Sequence, residues 1–202
     1  GMIILKTLDQ TGDTLVYHHK NTTSPETDFL RMKNSNATQD ETAIWNDTAP
    51  TSTYFYTGTE ATVNGNNNNF IAYCFAEKDG YSKFGGYKGN GSITAGPYIY
   101  TGFKPSFLIL KGSSDTGNWG MYDNKRNGTY GLAGNPRARF LFTNTSDAES
   151  SADNYNKVDF LSNGFKVRED DGKINSSNSE YIFMCFAENP FVNSKGVPVN
   201  AR

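Results

Sequence analysis

Charge of one sign is scarce in this chain of 202 residues: 19 Lys and Arg stand against 21 Asp and Glu, a net charge of -2. No basic surplus exists to neutralise a phosphate backbone, so nucleic acid is not an expected partner. Long apolar runs are missing too. The longest, residues 70–76 and 181–187, fall far short of the ~20 residues that a spanning helix needs, and no membrane insertion is expected. No charged-then-apolar signal segment opens the chain, and Gly1 ahead of Met2 reads as a remnant of tag removal. Cysteine is nearly absent. The two present, Cys74 and Cys185, allow at most one disulfide, too few for a stapled secreted scaffold, and both read as small hydrophobes in the core. Histidine is limited to His18 and His19. Adjacent residues of a strand point to opposite faces and a metal site wants three or four converging ligands, so the pair reads as a solvent-facing strand end. No metal or cofactor is expected.

Catalytic and phosphate-binding signatures are also lacking. There is no G-x-S-x-G elbow, and the glycines fit neither G-x-x-x-x-G-K-[ST] nor G-x-G-x-x-G. Leu, Ala and Glu, the strong helix formers, are sparse, and no segment sustains a 3.6-residue apolar spacing. What is present is a 14% share of aromatics, 20 glycines and abundant Asn, Thr and Ser. That mixture favours short strands joined by polar turns.

The chain also repeats itself. FIAYCFAE at 70–77 matches YIFMCFAE at 181–188, and MIILK at 2–6 matches FLILK at 107–111. Between these lie further matches: Thr11-Gly12 with Thr116-Gly117, Tyr17 with Tyr122, Phe29-Leu30 with Phe140-Leu141, Ala37 with Ala148, and Val63-Asn64 with Ile174-Asn175. The offset grows from 105 before Tyr17 to 111 after Phe29, so the second copy carries six extra residues within about 128–137. Two such copies are too few for a solenoid and read as a doubled sheet unit. Expected strands are 3–6, 14–18, 30–33, 54–56 and 70–76 in the first copy, and 108–111, 119–123, 139–143, 165–168 and 181–187 in the second. Asn163-Gly164 marks a two-residue hairpin turn. The two CFAE ribbons are apolar on both faces, which places each centrally in a sheet and covered on both sides. The reading is an all-β antiparallel sandwich of two tandem homologous repeats related by a pseudo-two-fold. Its parts are repeat 1 at 2–77, a Gly- and Tyr-rich linker with short strands at 78–106, repeat 2 at 107–193 and a tail at 194–202.

Four stretches carry a family resemblance: WNDTAPTS at 45–52, FIAYCFAEKDGYSKFGGYKGNG at 70–91, YIYTGFKPSFLILK at 98–111 and CFAENPFVNSKGVPVNAR at 185–202. The chain resembles the C-terminal region of tail-fibre and virion structural proteins of tailed bacteriophages, marine ones especially. The resemblance runs through nearly the whole chain in block order. Many members carry a lectin-like sandwich ahead of this region, so the resemblance implies a fragment or a short relative. It further implies a β module in the virion tail, made in the host cytoplasm, that contacts other virion proteins and host-surface glycan.

Positions kept in both copies are expected to serve the fold, and positions found in one copy are freer to serve function. By that criterion Glu77 and Glu188, which recur, read as structural, accepting nearby backbone donors. Trp45 and Trp119 read as core. Carboxylates cluster at Asp40-Glu41, Asp47, Asp153, Asp159 and Glu169 to Asp171, where they read as solvated turns; EF-hand spacing is absent around them. Sugar faces stack on exposed aromatic rings, and amides bond sugar hydroxyls. The candidate ligand-binding residues are therefore Tyr87, Asn90, Tyr98 and Tyr100 in the unmatched linker, with Tyr130 and Asn135 in the insertion. The leading functional expectation is a non-enzymatic virion structural, tail-fibre-like module. A carbohydrate-binding, lectin-like module is the alternative, and a polysaccharide-degrading enzyme comes third.

Overall fold

A computed structural model describes residues 1–126, 135–150 and 158–189. The described chain is all-β apart from two single-turn helices, α1 (Thr42–Trp45) and α2 (Ala61–Asn64). The first sheet contains β1 (Met2–Thr7), β2 (Thr14–His18), β3 (Asp28–Arg31), β4 (Gln39–Asp40) and β5 (Phe70–Phe75), in the order β4-β3-β2-β1-β5. The second contains β6 (Ser82–Lys88), β8 (Pro105–Gly112), β9 (Gly120–Asp123), β10 (Leu141–Phe142) and β13 (Glu180–Ala187), in the order β10-β9-β8-β13-β6. A third sheet orders β11 (Val158–Leu161), β12 (Gly164–Val167) and β7 (Tyr98–Tyr100). Every strand pairing is antiparallel.

The apolar runs are long because the second sheet is covered on both faces. One set of alternate residues, Ile109, Ile182 and Met184, meets Met2, Val16 and Leu30 of the first sheet in one cluster. The other set, Leu108, Leu110, Phe183 and Cys185, packs on Ile99, Val158, Phe160 and Phe165 of the third sheet. The far face of the first sheet is covered by the helical segment: Ile3, Leu5, Tyr17 and Phe29 cluster with Ile44, Trp45 and Val63. The strand runs β3-β2-β1-β5 and β10-β9-β8-β13 share one neighbour order, as do the sequence blocks that form them. Matched positions Tyr17 and Tyr122, and Phe29 and Phe140, are all buried.

Polar ties join the first two sheets. The Trp119 indole N–H donates to the Arg31 carbonyl at 3.0 Å. Gly117 N–H donates to Ser35 O at 2.7 Å, and Thr38 N–H to Ser113 O at 2.9 Å. Lys111, wholly buried, donates from Nζ to the carbonyls of Gly112 (2.6 Å), Asp115 (3.3 Å) and Ser35 (3.4 Å).

Several expectations are corrected by the structure. The ribbon 70–76 is not central. Among the described residues β5 is the edge of its sheet, because β6, which follows it, pairs with β13 instead of staying beside β5. Ala72, Tyr73 and Cys74 are exposed, so of the two expected core thiols only Cys185 is buried. Residues 54–56 form no strand. The linker is more than a connection, since β6 adds a seven-residue strand to the second sheet. The hairpin turn at β11–β12 is Ser162-Asn163, one residue earlier than expected, because Leu161 pairs with Gly164. Gly164 belongs to the strand for a steric reason: a Cβ there would sit 2.1 Å from the Ile99 carbonyl oxygen on β7. His18 is not a solvent-facing strand end. It is 1% exposed and lies between the two larger sheets.

Candidate functional site

Where β2 ends, the chain turns through Lys20, Asn21, Thr22 and Thr23 against the second sheet. The turn is held by a bond from Asn21 N–H to His18 O at 2.9 Å. His18 anchors it from beneath. Its Nδ1 accepts the Lys20 N–H at 3.1 Å, so Nε2 carries the proton and donates to Phe183 O at 3.1 Å. Burial pushes the His18 pKa down to about 3, against a smaller upward pull from its bond to Phe183, so the ring is neutral. The His19 ring stacks on it at 5.3 Å.

Two clefts open on either side of Lys20 and Glu180, and both residues line both clefts. The first, about 680 Å³, is walled by Asn21, Thr22, Thr38, Ser113 and Ser114. The second, about 560 Å³, is bordered by Gly85, Gly86, Tyr100, Lys83 and Glu77. The first cleft is lined largely by hydroxyl side chains, and the second is bordered by the Tyr100 ring. Gly85 allows Phe183 to pack close beneath: a Cβ there would lie 2.6 Å from that ring. Two residues of the clefts stand apart. Asn21 is 4% exposed, and its Oδ1 accepts from Thr38 Oγ1 at 2.7 Å, yet its Nδ2 has no hydrogen-bond partner among the described residues. A buried donor without a partner is costly. Tyr100 is 64% exposed, leaving its ring free to stack.

The six sequence candidates separate. Tyr87 and Tyr100 border the same cleft. The Tyr87 hydroxyl is committed inward: it donates to Ile174 O at 2.7 Å, and its ring stacks on Tyr181 at 5.0 Å. Tyr98 lies on the same face of β7 as Tyr100 and donates to Asn163 Oδ1 at 2.7 Å. Asn90 is a loop knot. Its Nδ2 donates to Ala95 O, and its Oδ1 accepts from Ser92 N and Asn175 Nδ2. Asn135 pins β11, donating to Phe160 O and accepting from Phe160 N. Tyr130 lies outside the described residues. Glu77 and Glu188 take side-chain donors where backbone donors were expected: Glu77 pairs with Lys83, and Glu188 pairs with Lys104 at 2.8 Å and accepts from Asn124. Among the described residues, no three His, Cys, Asp or Glu side chains gather as a metal ion would require.

Lys20, Asn21, Thr38, Ser114 and Glu180 escaped the sequence reading because a polar turn looks the same whether solvated or lining a groove. One signal was available. At the first-copy offset of 105, Lys20 to Thr23 correspond to Lys125, Arg126, Asn127 and Gly128, so the Asn-Thr-Thr run belongs to one copy alone.

No curated protein matches this chain, and no solved structure matches it. A family model does match, over residues 1–190, nearly the whole length. The chain belongs to the DUF7483 family, described as a domain of unknown function.

Proposed function

We propose that this chain is a non-enzymatic, tail-fibre-like virion module that holds a host-surface glycan at the clefts that share Lys20 and Glu180. The reading joins the phage resemblance of the sequence to one structural observation: two polar clefts that share Lys20 and Glu180, one of them bordered by an exposed aromatic ring. A sugar presents hydroxyls to the polar side chains of Thr22, Ser114 and Glu180 and a C–H face to Tyr100.

Calorimetric titration with polysaccharide from susceptible host cells tests the reading. Wild type should bind, and Tyr100→Ala should weaken binding about tenfold, the scale of one stacked aromatic contact. Wild type that binds no host polysaccharide, or a Tyr100→Ala variant that binds unchanged, overturns it. One observation favours the enzymatic alternative: Glu77 and Glu180 border the same cleft, and glycoside cleavage uses two carboxylates. Release of reducing sugar that disappears in Glu180→Gln would establish that alternative in place of binding alone.

A further inference from the structure

Among the polar ties between the first two sheets, the Ser35 carbonyl accepts two donors, Gly117 N–H at 2.7 Å and Lys111 Nζ at 3.4 Å. All three residues have counterparts at matched sequence positions. Lys111 ends FLILK as Lys6 ends MIILK, and Thr116-Gly117 matches Thr11-Gly12. Ser35 matches Ser146 at the offset of 111 that pairs Ala37 with Ala148. These counterparts do not close on one another. They border a cleft of about 560 Å³, together with Thr14, Lys33 and Thr143. Among the described residues neither the Gly12 N–H nor the Lys6 ammonium has a hydrogen-bond partner. Two donors that share an acceptor in one place have lost it in the other.

The strand pattern explains the placement. Lys6 is half-buried and continues the row Met2, Ile4, whose side chains pack between the sheets. Thr14 is its partner on β2, at the start of the row that holds Val16. The cleft is thus the mouth of that contact, where apolar side chains give way to an ammonium and hydroxyls. Its charge is one-sided. Lys33 adds a second ammonium, donating to Thr11 O at 3.3 Å, and no carboxylate lines the cleft among the described residues. The acids nearby in sequence lie outside the lining: Asp9 accepts from Asn69, Asp13 pairs with Arg31, and Asp147 is exposed. A cleft lined by one sign of charge concentrates the opposite ion. We propose that this cleft binds an oxyanion of the sulfate or phosphate class, free or as an ester, with one oxygen on Lys6 and Gly12 as the Ser35 carbonyl sits on Lys111 and Gly117. The remaining oxygens face Lys33 and the threonine hydroxyls. The site shares no residue with the clefts at Lys20, so it holds or fails independently of the glycan reading.

Amide NMR titration of the full chain tests the proposal, with inorganic sulfate, inorganic phosphate or glucose 6-sulfate replacing chloride at constant ionic strength. Signals of residues 11–14 and 143–146 should shift and saturate at millimolar anion. Lys6→Gln should weaken binding about tenfold, the scale of one charge-assisted hydrogen bond. Lys88→Gln removes an equal charge outside the cleft and should leave binding unchanged. Glucose 6-sulfate that binds as tightly as inorganic sulfate assigns an ester as the ligand; weaker binding assigns the free ion. No saturable shift with any of these anions, shifts that chloride reproduces, unchanged binding in Lys6→Gln, or an equal loss in Lys88→Gln would each overturn the proposal.

Discussion

The His18 imidazole donates from Nε2 to the Phe183 carbonyl, 3.1 Å away, linking the end of β2 to β13, an interior strand of the second sheet. The same ring accepts from Lys20 at Nδ1, so it positions the Lys20 turn beside the clefts and joins two layers of the fold. The Lys20 bond requires the neutral ring, because a protonated Nδ1 cannot accept.

The first prediction concerns acid. The folded pKa of His18 is about 3 and its ordinary value is 6.5, so between these pH values the unfolded chain binds the additional proton. Stability should be fully present above pH 6.5 and should fall as pH drops towards 3. At pH 4.5 the loss should be about 2 to 3 kcal/mol relative to pH 7. Urea unfolding at the two pH values checks this, and His18→Gln should flatten the difference.

Lys111 yields the opposite end of the pH scale. Burial lowers its pKa from 10.5 to about 8, despite the nearby Asp115. Above pH 8 the unfolded chain retains a proton that the folded chain sheds, so this residue makes stability rise as pH climbs from 8 towards 10. Lys111→Met should remove that rise. It should also cost about 1 to 3 kcal/mol at pH 7, because the carbonyls of Ser35, Gly112 and Asp115 lose a charged donor. Denaturant midpoints at pH 7, 8.5 and 10 measure both effects.

Thiol chemistry separates the two CFAE ribbons. Cys74 is exposed; Cys185 is buried, and burial pushes its thiol well above the usual range. A disulfide reagent should titrate one thiol of the native protein quickly, and the second only after urea is added. Cys74→Ser should abolish the fast phase.

Gly164 should tolerate no side chain. Its missing Cβ leaves room for the Ile99 carbonyl at 2.1 Å, so Gly164→Ala must push β7 away from β12. A loss of about 2 to 4 kcal/mol is expected, the scale of overpacking combined with broken ladder bonds. Thermal unfolding followed by circular dichroism measures it. Asn163→Gly, in the turn, should cost far less.

The sequence by itself determined the all-β class. Gly-, Asn- and Tyr-rich composition without helical spacing leaves strands as the economical backbone arrangement. Matched blocks such as MIILK and FLILK became β1 and β8, with the same neighbours in the same order. Tertiary structure decided which copy of a matched ribbon is enclosed. FIAYCFAE and YIFMCFAE carry nearly the same apolar pattern, but burial depends on what lies beside and above a strand, and that comes from distant segments. β6 and the third sheet cover β13; the one is drawn from the linker and the other is built around the hairpin 158–167. The clefts were invisible for the same reason. The Lys20-Asn21 turn, Ser114 and Glu180 are far apart in the chain, and only the packing of one sheet on another sets their polar side chains around a common space.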